Sequence, residues 1–150
     1  MKIKKYLYNL LDLPLHELEE YEVAKGIGYQ VSYIKNAQVI RVRLSGHINT
    51  KLLKHLLRQI TSFGKNNRIA STMLDLNHPF ELTGRLMPLR NIGRSKHIIQ
   101  YVVVLLPDWS EKKKHIRFLN LMGYQTVRFF FSFAGAINWI TAQNDDHRTF

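Results

Sequence analysis

The clearest pattern of apolar and polar positions lies between Val39 and Leu76. Val39-Ile40-Arg41-Val42-Arg43-Leu44 alternates apolar and basic residues after Ile40. Its β-branched content suits a strand that lays one face on a core. Ser45-Gly46 breaks the run, and Asn49 or Thr50 supplies a side-chain oxygen able to cap a helix. In that helix Leu52, Leu53, Leu56, Leu57 and Ile60 fall on one side, with Lys51, Lys54, Arg58 and Gln59 mostly on the other. Gly64 is expected to stop it, and Lys65-Asn66-Asn67 to turn the chain into a more buried strand from Ile69 to Leu76. A helix joining two strands crosses over so that the strands lie parallel and bury its leucine face.

The same reading extends both ways. Tyr29 to Ile34 is a strand joined by Lys35-Asn36-Ala37 to Val39, giving a leading hairpin. Beyond Asn77-His78-Pro79, the segment from Glu81 to about Arg94 is expected to be a helix that Pro88 kinks or divides. Ile98 to Leu106 contains a continuous apolar run, typical of a strand covered on both faces. Asp108 or Ser110 then caps a third helix, with Ile116, Leu119 and Met122 near one face and Phe118 and Leu121 beside them. Thr126 to Phe131 is the last strand and Phe133 to Ala142 the last helix. Residues 143–150 form a polar tail, expected to be loose.

Residues 1–28 are expected to form a helical arm, with Ile3, Leu7, Leu10 and Leu11 near one face and an acidic second helix from Leu15 to Val23. That arm can lie on a membrane or clasp a partner; equally it can pack on its own domain or on a twin subunit in a homodimer. The expected fold is α/β: a mixed, mostly parallel five-stranded sheet with a leading hairpin and about four covering helices over residues 29–142.

Composition adds bounds. The chain has 150 residues, enough for one substantial core, and no cysteine, so disulfide and thiolate chemistry are excluded. No apolar run approaches the ~20 residues that span a bilayer, and the interrupted start makes a poor signal peptide. A cytoplasmic location is expected. The formal charge is +11, and between Lys35 and Arg128 there are 17 Lys and Arg against only Asp75, Glu81, Asp108 and Glu111. Such a field attracts nucleic acid, anionic lipid or an acidic protein. Lys112, Lys113, Lys114 and Arg117 are the expected polyanion contacts, behind Arg85, Arg90, Arg94 and Lys96 in the preceding segment. Phe129, Phe130, Phe131 and Phe133 read as core rather than as base-stacking surface.

Catalytic signatures are scarce. Seven scattered histidines show no ligand spacing, so no metal and no cofactor are expected. Gly26-Ile27-Gly28 precedes a strand, whereas a dinucleotide fingerprint follows one. Asp75 sits at the carboxyl end of a strand, where α/β folds place active residues, yet no base, nucleophile or metal partner is identifiable for it. It can equally bond to the following loop. The chain is therefore read as a non-enzyme.

Three landmarks in order carry a family resemblance. They are Val42-Arg43-Leu44-Ser45-Gly46-His47-Ile48-Asn49, Met73-Leu74-Asp75-Leu76, and the closing aromatic strand followed by Ala136-Ile137-Asn138-Trp139-Ile140. From Tyr29 to Ala142 the chain resembles the STAS family, especially the branch similar to anti-sigma-factor antagonists. The resemblance implies a non-enzymatic regulatory domain that docks onto a protein partner and is sometimes controlled by phosphorylation. It places Thr83-Gly84 where switching members carry a phosphorylated Ser or Thr, with Arg85 beside it. As a plain helix cap, Thr83 needs no such role. The docking surface is expected on Phe80, Thr83, Arg85, Arg90 and Arg94, because the segment mixes apolar side chains with arginines between Pro79 and Pro88. Some relatives of this branch also suggest an apolar or lipid ligand, which Met87, Leu89, Ile92, Trp109 and Phe118 would line here. The alternative is a basic binding module for nucleic acid or anionic lipid.

Overall fold

The computed structural model describes residues 3–8, 16–67, 71–84, 101–108, 110, 115–116, 119 and 127–148. Nine strands and two long helices occur among them. They are β1 (Ile3–Tyr8), β2 (His16–Gly26), β3 (Tyr29–Ile34), β4 (Val39–Leu44), β5 (Gly46–Ile48), α1 (Thr50–Asn67), β6 (Ser71–Asp75), β7 (Phe80–Leu82), β8 (Tyr101–Leu105), β9 (Val127–Phe130) and α2 (Phe133–Arg148). Seven strands form one mixed sheet in the order β1-β2-β3-β4-β6-β8-β9, and β5 and β7 form a separate pair. From β1 to β4 neighbours run antiparallel, whereas β4, β6, β8 and β9 are parallel. The α/β class, the leading hairpin and the parallel pairing of Val39–Leu44 with the strand ending at Asp75 are as the sequence predicts.

Several expectations are corrected. The N-terminal arm is not helical where it is described: Ile3–Tyr8 and His16–Gly26 are strands, so the sheet has seven strands rather than five. Gly64 does not stop α1; it is buried inside the helix, which continues to Asn67. There the Asn67 side-chain amide donates to the Phe63 carbonyl at 2.9 Å. Glu81 and Leu82 lie in β7, not in a helix. The last helix runs past Ala142 to Arg148. Of the about four helices expected, most of the second and third lies outside the described residues. Helical backbone is present at His115, Ile116 and Leu119.

Local chemistry explains the two long helices. Asn49 caps α1, its side-chain oxygen accepting from the Leu52 amide at 2.9 Å. Ser132 does the same for α2 through the Gly135 amide at 3.1 Å. Each helix covers one face of the sheet. Leu53, Leu56, Leu57 and Ile60 of α1 pack with Val31, Val42, Leu74, Val102 and Val104. Ala136, Ile137 and Ile140 of α2 pack with Val39, Met73, Val103 and Leu105 on the opposite face.

The β4 strand therefore has no solvent face. Its basic side is covered as well, and Arg41 is 9% exposed. Burying a guanidinium requires paired charge and hydrogen bonds, and these define the site.

Candidate functional site

Arg41 lies in the middle of β4, on the α2 side of the sheet. It donates from Nε and Nη2 to Asp75 Oδ2 at 3.1 and 2.6 Å, and from Nη1 to Glu20 Oε1 at 3.0 Å. Glu20 and Asp75 are each 3% exposed, so both carboxylates are buried. Arg43, two residues along on the same face, adds Nη2 at 3.8 Å from Glu20 and Nε at 3.5 Å from Asp75. Its Nη1 donates to Gln30 Oε1 at 3.3 Å. Two guanidinium groups thus face two carboxylates, and the local charge cancels. The Phe133 ring at the start of α2 closes over Arg41, 4.7 Å from its Cζ.

Four strands supply this cluster, and register decides which residues meet. Arg43 pairs with Asp75 across the parallel β4–β6 ladder, and with Gln30 across β3–β4. Glu20 comes from β2, two strands away from Arg41, so the network latches the antiparallel half of the sheet to its parallel half.

Burial by itself pushes the Asp75 carboxyl up, but Arg41 opposes it by charge and hydrogen bonding, with help from the Asn77 amide and Arg43. The net result holds Asp75 below its ordinary value. Burial likewise disfavours the charged form of Arg41, yet Asp75 and Glu20 raise it above its usual range. Asp75 Oδ1 accepts from the Asn77 amide at 3.3 Å and from Asn77 Nδ2 at 3.0 Å, the loop bonding expected as its alternative role. An anion with both oxygens occupied and a depressed pKa is a poor general base near neutral pH.

The loops beyond the carboxyl ends of β4 and β6 are themselves ordered by backbone bonds. β5 and β7 pair in parallel, with Gly46 opposite Phe80 and Ile48 opposite Leu82. The Gly46 amide donates to Pro79 O at 3.1 Å and the Thr83 amide to Ile48 O at 2.8 Å. On the outside of this pair His47 Nδ1 stands 3.6 Å from Glu81 Oε2, both side chains well exposed. Phe80 is half-buried and stacks on the His115 ring, with centroids 5.1 Å apart. His115 is 9% exposed, while Ile116, expected on one face with Leu119, is 43% exposed.

Of the expected docking residues, Phe80 and Thr83 sit together on this apron. Arg85, Arg90 and Arg94 lie outside the described residues, as do Lys112, Lys113, Lys114 and Arg117. The expected ligand-lining residues Met87, Leu89, Ile92, Trp109 and Phe118 also lie outside them. Thr83 does not cap a helix beginning at Glu81; it follows β7, and its amide is committed to Ile48. The aromatic cluster is mainly core as expected, with Phe129 on the α1 side and Phe130 and Phe133 on the α2 side. Phe131 is 40% exposed.

The Glu20–Arg41 pairing was not foreseen. Its available signal was the pair Arg41 and Arg43 at strand spacing next to a strand that ends in Asp75. Among the described residues no group of three or more His, Asp or Glu could hold a metal ion. No described helix is long and apolar enough to cross a membrane. Comparison of the chain with protein-family models, curated proteins and solved structures finds no match in any of the three.

Proposed function

We propose that the chain is a non-enzymatic regulatory domain of STAS-like type that docks onto a protein partner. The observation that carries this reading is the β5–β7 apron, which ties the loops at the carboxyl ends of β4 and β6 into one parallel pair. A surface ordered in this way loses less conformational entropy on binding. The Arg41 and Asn77 contacts support the same reading, because they give Asp75 a structural task. The docking surface starts at Phe80 and Thr83 and continues along the chain to Arg85, Arg90 and Arg94, whose charge suits an acidic partner. Phosphorylation of Thr83 would put a dianion on the apron beside Arg85 in sequence and so switch that surface.

The test is capture from native extract on immobilised protein, comparing wild type with Arg85→Glu/Arg90→Glu. An acidic partner should be retained by wild type and reduced about tenfold or more by the variant. Melting temperature should remain nearly unchanged. Equal retention by both proteins, or no retention above a control surface, contradicts the reading.

One observation favours the alternative of a polyanion-binding module. The exposed side of α1 carries Lys51, Lys54, His55, Arg58 and Lys65, and the helix contains no acidic residue. On that reading, binding to nucleic acid or anionic vesicles falls steeply with salt and is weakened by Lys51→Glu/Arg58→Glu.

A further inference from the structure

A cavity of about 290 Å³ opens beside the buried ion cluster, at the carboxyl end of β4. Its polar lining comes from Lys25, Tyr29, Gln30, Arg43, Ser45 and His78, and no carboxylate lines it. The volume lies at the lower end of the range for small-molecule sites.

Two details of the backbone build this cavity. The first is a bulge in β2. Glu22 pairs with Ser32, but the next pair is Ala24 with Val31, so Val23 is an extra residue in the ladder. A bulge of one residue reverses the alternation of faces beyond it. Lys25, rather than Ala24, is thereby set opposite Gln30, which is in turn opposite Arg43. Lys25, Gln30, Arg43 and Asp75 form a continuous row across four strands. The second detail is Gly26. A side chain there would collide with the Tyr29 ring, so glycine lets that ring close over the strand end as one wall of the cavity. Gly28, with φ of 87°, completes the two-residue turn, and its carbonyl accepts from the Ser45 amide at 2.9 Å.

Charge selects the ligand. Glu20 and Asp75 balance Arg41 and Arg43 inside the sheet. Lys25 lies at the open end of the row; it and Arg43 are the cations of the cavity lining, and the Glu22 carboxylate, which accepts from Gln30 Nε2 at 3.5 Å, stays outside that lining. The Arg43 side chain is 21% exposed and lines the cavity, while its nitrogens face Glu20, Asp75 and Gln30. The exposed Ser45 supplies a neutral hydroxyl donor beside the pair.

We propose that this cavity binds a small organic anion, a carboxylate or a phosphate ester of a few carbon atoms. Lys25 and Arg43 hold the charge, and Tyr29, whose ring packs toward α1 with its hydroxyl 3.3 Å from His55 Nε2, borders the site at the strand end. The site adjoins the apron through Ser45 and His78 but does not depend on the docking reading.

Amide-resolved NMR titration at low salt tests this with three probes: succinate, glycerol 3-phosphate and, as the neutral control, glycerol. Succinate or glycerol 3-phosphate should produce saturable shifts confined to residues 25–30, 43–45 and 78, and glycerol should not. Which of the two anions saturates identifies the headgroup. Lys25→Glu should weaken that binding by about tenfold or more. Lys25 is exposed, so this variant keeps the fold, and an unchanged spectrum elsewhere verifies it. Gly26→Ala, which drives Tyr29 out of place, should weaken binding as well. The proposal is overturned if neither anion saturates, if the shifts spread along α1, or if Lys25→Glu retains wild-type affinity.

Discussion

The two faces of the central sheet solve the same covering problem differently. Under α1 the middle of the sheet carries no charge: Val42, Leu74, Val102 and Val104 are no more than 2% exposed, and the buried Thr72 beside them is neutral. Under α2 the apolar surface stops part-way along β4 and β6, and Arg41, Arg43 and Asp75 take over, joined by Glu20 from β2. Apolar packing is tolerant of which neighbour supplies the contact, whereas buried charges demand particular partners at particular registers. The α1 face therefore supplies general cohesion. The α2 face fixes how β2 sits against the parallel strands, because a one-residue slip would remove Glu20 from Arg41.

Removing Arg41 should show the difference most sharply. Arg41→Met removes the hydrogen-bonded partner of Glu20 and Asp75, leaves only the longer contacts of Arg43 to offset two buried carboxylates, and is expected to cost about 3–5 kcal/mol in urea unfolding. The variant Glu20→Gln/Arg41→Met/Arg43→Met/Asp75→Asn, with all four charges of the cluster removed, should recover most of that loss. Failure to recover it would mean that the cluster contributes through packing rather than through charge. On the other face, Leu74→Ala is expected to cost about 2–5 kcal/mol by leaving a cavity. No charge is involved there, so the loss should be nearly the same at pH 4 and pH 7. Smaller again is Asn49→Ala, which removes the α1 cap and should cost about 1 kcal/mol by the same assay. An exposed pair contributes least: Glu81→Gln, which breaks the contact with His47, should change stability by less than about 1 kcal/mol.

The same contrast explains what the sequence reveals. The parallel core is legible because its strands carry runs of Val, Ile and Leu and its helix places leucines at helical spacing. That is short-range information. The arm was misread because β2 is rich in Glu, a residue at ease in helices, and its strand alternation is carried partly by acids rather than apolar groups. Leu18, Glu20 and Glu22 lie at strand spacing, but Glu20 makes sense inside only once Arg41 is opposite it, 21 positions away. The partners of Arg41 are not legible locally, because its two carboxylates come from different strands. Gly64 resembled a stop signal because nothing local shows that its missing side chain suits a buried position inside α1. At the site, Asp75 and its bonds to the next loop were legible, since Asn77 is two residues away. The cavity was not, because it depends on a bulge at Val23 and on the register of three strands.

The central claim is that Asp75 is a structural anion held by Arg41 and not a proton-transfer group. Below about pH 3.9, an unfolded chain takes up a proton that the folded Asp75 carboxyl refuses. The stability it contributes is thus complete above that pH and lost as pH falls through its lower folded value. Side-chain carboxyl NMR across an acid titration of the folded protein measures this directly. The account predicts a midpoint for Asp75 clearly below about 3.9, with Arg41→Met moving it upward. A midpoint at or above that value in the wild type would mean that Arg41 does not hold the carboxylate, and the structural assignment of Asp75 would fall.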